Sequence, residues 1–114
     1  MKDDRLYICH VLDCIRRVER YCQNGSKAFD DSDLIQDAVL RNLQTLAESA
    51  QRISEDLKAR HPEVEWRAIS GFRNVLAHDY LGINLERIWQ IVSVSLPLLL
   101  SQMEAIRREV DPAS

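Results

Sequence analysis

The segment Ser32–Leu57, SDLIQDAVLRNLQTLAESAQRISEDL, decides the fold class. Ile35, Ala38, Val39, Leu43, Leu46, Ala47, Ala50, Ile53 and Leu57 recur at i, i+3, i+4, i+7 spacing. That period lays one apolar stripe along a helix, so the segment predicts a single long amphipathic helix. Asp31 or Ser32 supplies its N-cap, and His61-Pro62 ends it, because proline disfavours helix in the residue before it. Asn42 falls on the stripe between Ala38/Val39 and Leu46. A polar group there needs a partner, so Asn42 either hydrogen-bonds inside a bundle or faces a groove.

Moving outward, a first helix is expected from Asp3 or Asp4, as N-cap, to Gln23. Its stripe is Leu6, Cys9, His10, Val11, Cys14, Val18, Tyr21 and Cys22, with His10 packed and hydrogen-bonded among them. Asn24-Gly25 is a stop signal, and Ser26–Asp31 reads as a loop. A third helix is expected from Glu63–Trp66 to Tyr80. Gly71 inside it costs about 1 kcal/mol in propensity, which implies a close approach of another backbone. Leu81-Gly82-Ile83 is the connection and Asn84 the next N-cap. The last helix is expected from Leu85 to about Val110, with Ile88, Ile91, Val92, Ser95, Leu98, Leu99 and Ala105/Ile106 facing inward and a kink at Pro97. Short links between long helices favour antiparallel neighbours. The expected fold is therefore all-α, an antiparallel up-and-down four-helix bundle. The wide apolar faces of the second and last helices leave room for a partner, so a homodimer is expected.

The 114 residues, with 46% hydrophobic residues and only three Gly and three Pro, read as one domain over 1–114 that buries a core without staples. A net charge of −3 argues against broad nonspecific binding to nucleic acid, which needs an excess of Lys and Arg. Arg41, Arg67, Arg73 and Arg87 can still build a local basic patch, and dimerisation would double it. Cys9, Cys14 and Cys22 are an odd set without a Cys-x-x-Cys pair, read as reduced thiols packed as small hydrophobes. A Cys9/His10/Cys14 metal site is disfavoured because those positions fan around a helix. No apolar run reaches the roughly 20 residues of a membrane span, and nothing at the N-terminus resembles a targeting segment. A soluble, cytoplasmic protein without membrane contact is expected.

The chemistry concentrates in Arg73-Asn74-Val75-Leu76-Ala77-His78-Asp79-Tyr80. Arginine's planar fork matches phosphate and stays charged at any cellular pH. Histidine moves a proton near neutrality and can serve a ribose hydroxyl as general base or acid. Asn74 and His78 are i, i+4 neighbours, so Asn74 can orient the imidazole or a phosphate. Asp79 can bias the imidazole's protonation or point to water. Arg73 and His78 diverge by about 140° on an ideal helix. They meet at one phosphate only if the helix ends near His78 or if a second copy contributes. No acidic cluster with metal-ligand spacing appears, so neither metal nor other cofactor is expected.

The octapeptide fits the Arg-x-x-x-x-His-x-Tyr signature, and the chain resembles the HepT-like ribonucleases of the HEPN superfamily. The resemblance also rests on Asp37–Leu43, on Glu48, and on Pro62, Trp66, Arg67, Ile69 and Gly71 leading into Arg73. It runs from about residue 5 to residue 105, with one departure, Ala47, where a glycine is expected. It implies a HEPN-like bundle acting as the toxin of a toxin–antitoxin pair, an endoribonuclease with Arg73 and His78 catalytic and Asn74 and Asp79 supporting. The implied partners are RNA and an MntA-like minimal nucleotidyltransferase, the antitoxin, which attaches AMP to Tyr80. The alternative is a non-catalytic binding module that restrains a toxic nucleotidyltransferase. The intact Arg73/His78 pair favours the enzyme, since a scaffold needs neither.

Overall fold

The computed structural model describes residues 2–78 and 84–111, the side chains of Lys2 and of residues 74–78 lying outside that description. All regular structure within it is helical: α1 (Lys2–Tyr21), α2 (Ser26–Asp30), α3 (Asp33–Gln51), α4 (Glu55–Arg60), α5 (Trp66–His78), α6 (Leu85–Gln90), a π-helical turn (Ile91–Ser95) and α7 (Leu96–Val110). Gly25 stops α1 as expected, with φ of 94°, a left-handed conformation that favours glycine. No helix among the described residues is long and apolar enough to cross a membrane.

The expected single helix through Leu57 is two. The α3 ladder ends at Gln51, and Ser54 starts α4 with its Oγ accepting from the Leu57 amide at 3.2 Å. Asp4 holds the break open. One carboxylate oxygen accepts from the Ser54 amide and the other from its hydroxyl, both at 2.7 Å. Asp4 is thus a buried tether within α1, not the N-cap expected of it. Ile53 and Leu57 stay buried on both sides of the break, so the apolar spacing runs through it unchanged and hides it.

Ser26–Asp30 is likewise a short helix and not a loop. Phe29 is fully buried there, and the Gln36 amide donates to the carbonyls of Phe29 and Asp30 at 2.9 and 3.1 Å. Those bonds satisfy carbonyls that a helix end leaves open. Asn42 resolves within its own helix, its amide donating to the Ala38 carbonyl at 2.8 Å. Ala47 is fully buried in α3.

The inward face of the last segment differs from expectation, and the π turn is the reason. The buried positions are Ile88, Ile91, Leu96, Leu99, Met103 and Ile106. The step from Ile91 to Leu96 is five residues, matching the Leu96 amide's bond to the Ile91 carbonyl. Pro97 has no N–H, and its ring would crowd the carbonyl four residues back in a regular helix. A wider turn accommodates it. One extra residue rotates everything after it by about 100°, so Ser95, Leu98 and Ala105 face outward and Leu96 and Met103 face in.

In α1 the inward residues are Ile8, Val11, Leu12, Cys14, Ile15 and Val18. Leu6 and His10 are exposed, and the His10 ring sits edge-on to Tyr7. Placing His10 on the packed stripe is therefore corrected. All three cysteines are free, and burial pushes the Cys14 and Cys22 thiols up. Arg5 pairs with Asp111 at 3.2 Å and Arg16 with Glu104 at 3.6 Å, which sets α1 antiparallel to α7. The Asp4–Ser54 tether sets the start of α1 beside the end of α3. α3 packs against both α1 and α5, and Val39, Leu43, Ile69 and Phe72 belong to the one buried apolar core.

Candidate active site

The helix that carries the octapeptide is fixed first at its base. The Trp66 indole N–H donates to the His61 carbonyl at 3.0 Å, and the Ile69 amide bonds the Glu65 carbonyl at 3.0 Å. His61 lies between two carboxylates, with Nδ1 3.1 Å from Glu63 and Nε2 2.9 Å from Glu109, the second off the line of a good hydrogen bond. Arg60 reaches the same Glu109 at 2.9 Å. The Glu63 carboxyl is held below its ordinary range, first by its own backbone amide and then by His61. This charged knot joins the end of α4 to the end of α7 and sets where α5 begins.

From that base, Ile69 and Phe72 turn into the core and Arg73 turns out. The Arg73 guanidinium donates through Nη1 to the Gln51 side-chain oxygen at 2.8 Å, at the last residue of α3. The cation is thereby held at the rim between α3 and α5, open to solvent. Gln51 is a positioning residue that the sequence did not single out. It ends a helix 22 residues upstream, and only the tertiary packing brings it to the octapeptide.

The backbone remains helical to His78, so His78 stands about 7.5 Å further along the axis than Arg73 and about 140° around it. Asp79 and Tyr80 lie outside the described residues, as do the side chains of Asn74 and His78. The expectation that Gly71 admits another backbone is corrected, because among the described residues nothing comes within 4 Å of the position where its Cβ would stand. Arg41, Arg67, Arg73 and Arg87 are all exposed. Among the described residues, no group of three or more His, Cys, Asp or Glu comes close enough to hold a metal ion.

The chain is thus an all-helical domain with an arginine held at the rim of the octapeptide helix, and comparison with known proteins gives its family. The ribonuclease HepT-like family matches residues 11–106. The chain belongs to that family, whose activity is that of an endoribonuclease. Among its relatives, it is 29% identical to the probable ribonuclease HepT of Thermococcus cleftensis over 90% of this chain and 94% of that one. It is also 29% identical to a candidate RNase of Caldanaerobacter subterraneus subsp. tengcongensis, over 93% and 96%. A Methanocaldococcus jannaschii protein named for both gamma-glutamylcyclotransferase and RNase is 26% identical over 96% of this chain. The chain spans about half the length of that relative, 50%. No solved structure matches the chain.

Proposed function

We propose that this chain is the toxin of a toxin–antitoxin pair, a metal-independent endoribonuclease built as a HEPN-like up-and-down four-helix bundle. The observation that carries the site is Arg73, fixed at the rim by Gln51 on the same helix that bears His78. In the proposed reaction His78 removes the proton from a ribose 2′-hydroxyl, whose oxygen attacks the adjacent phosphorus. The bond from phosphorus to the 5′-oxygen breaks, and a proton passes to that leaving oxygen. The products are a 2′,3′-cyclic phosphate and a free 5′-hydroxyl. Arg73 stabilises the charge that builds on the phosphoryl oxygens, with Asn74 and Asp79 supporting the imidazole. No step calls for a metal or other cofactor.

The divergence of Arg73 from His78 supports a homodimer in which two octapeptides line one groove. Family membership supports an MntA-like minimal nucleotidyltransferase as the antitoxin partner, acting by transfer of AMP to Tyr80, and a cytoplasmic site of action on cellular RNA. The test is expression of the chain alone, wild type against His78→Ala, with growth and total RNA followed. Growth arrest and RNA loss should require His78. Equal RNA loss from both chains would overturn this reading.

A further inference from the structure

A groove of about 590 Å³ opens along α6, lined by Asn84, Glu86, Arg87, Trp89, Gln90 and Ser93. Its wall is ordered. Trp89 is half-buried, its ring 5.5 Å from that of the fully buried Phe29. The Asn84 side chain accepts from the Arg87 amide at 3.1 Å, and the Ser93 hydroxyl donates to the Trp89 carbonyl at 2.7 Å. Glu86, Arg87 and Gln90 are exposed, and among the described residues their side chains meet no hydrogen-bond or ion-pair partner.

We infer that this groove is a nucleotide subsite that holds single-stranded RNA beside the cut bond, an inference resting on the nuclease reading above. A flat aromatic wall next to a cation, a carboxylate and an amide suits a nucleotide. Bases stack on aromatic rings whatever their sequence, and arginine takes the phosphate. Glu86 accepts only, so it favours a base edge that presents N–H donors, such as the amino group of cytosine or guanine. Gln90 both donates and accepts. The lining is mostly polar, whereas a groove for an amphipathic helix needs apolar walls. Six chain steps separate His78 from Asn84, so the Asn84 end of the groove lies within about 20 Å of the end of α5, a few nucleotides along an extended strand. A pre-ordered aromatic wall gives affinity to a chain whose net charge is −3.

The test measures anisotropy of an end-labelled single-stranded RNA dodecamer bound to the His78→Ala protein, which leaves the RNA uncut. Trp89→Ala should weaken binding about tenfold, and Trp89→Phe should restore most of it. Arg87→Ala should weaken binding and flatten its salt dependence by about one ion. In the active chain the same substitutions should raise KM. Unchanged RNA binding by Trp89→Ala overturns the subsite, while continued cleavage by the wild type keeps the nuclease reading. Trp89-dependent binding without cleavage does the reverse. Loss of nucleotidyltransferase capture in Trp89→Ala, with RNA binding intact, assigns the groove to a protein and overturns the inference. Should Trp89→Ala fail to fold, Arg87→Ala and Gln90→Ala, both at exposed positions, carry the same reading.

Discussion

Gln51, the last residue of α3, accepts from Arg73 of α5, with 2.8 Å between the guanidinium nitrogen and the amide oxygen. The contact fixes the position of the cation that the proposed mechanism sets against a phosphate, without neutralising it. Gln51→Ala is predicted to lower kcat/KM about fivefold, the worth of one neutral hydrogen bond to a charged group that is exposed. Arg73→Ala and His78→Ala should each lower RNA cleavage by at least about a hundredfold, with the helical circular dichroism intact. Full cleavage by a folded, purified His78→Ala protein would remove the proposed mechanism.

Cleavage is expected to persist in EDTA, because the proposed chemistry draws on an imidazole and a guanidinium. The measurement is the rate on a labelled RNA with chelator against the rate with added Mg²⁺. A strict Mg²⁺ requirement would contradict the proposal.

A homodimer is predicted at micromolar concentration, readable as a solution mass twice that of the 13.2 kDa chain. Val94 and Leu98, 64% and 59% exposed, leave apolar surface available for association. A monomer mass under those conditions would count against a shared site.

Tyr80→Phe is expected to keep nuclease activity and to escape silencing by the nucleotidyltransferase. A phenol is a poor acid or base at neutral pH, so its loss should leave the chemistry intact. Added AMP would bring bulk and a phosphate that competes for Arg73. Mass spectrometry after co-expression should find adenylyl mass on the peptide with Tyr80. Complete silencing of Tyr80→Phe would mean that inhibition comes from binding alone.

Asp4→Ala should destabilise the fold by about 1–3 kcal/mol, since it removes a buried carboxylate that accepts from both the amide and the hydroxyl of part-buried Ser54. The urea midpoint reads this directly. An unchanged midpoint would show that the tether contributes nothing to stability.

These residues also show how far the sequence could be read. The helical character and the position of α5 follow from apolar spacing and from His61-Pro62, which are local signals. The break before α4 does not, because Ile53 and Leu57 keep helical spacing across it while its cause, Asp4, lies 50 residues away. The phase of the last helix is hidden for a related reason. Pro97 announces a disturbance, yet whether the helix kinks or widens depends on packing. At the site, residue types and spacing single out Arg73 and His78, but Gln51 reaches Arg73, and Trp89 reaches Phe29, only once distant helices meet.

The π turn also has a consequence for how the molecule can vary. It acts as a rotary joint between two halves of one rod. Upstream of it, α6 presents Trp89 and Arg87 to the groove, and downstream, α7 presents Leu99, Met103 and Ile106 to the core. Removing a single residue from Ile91–Ser95 would turn one half against the other by about 100°. With α7 held by the core, Ile88 and the groove residues of α6 would be turned by that same angle about the rod. Homologues that change length at this joint can therefore re-aim the proposed RNA groove while every residue of α5 stays the same.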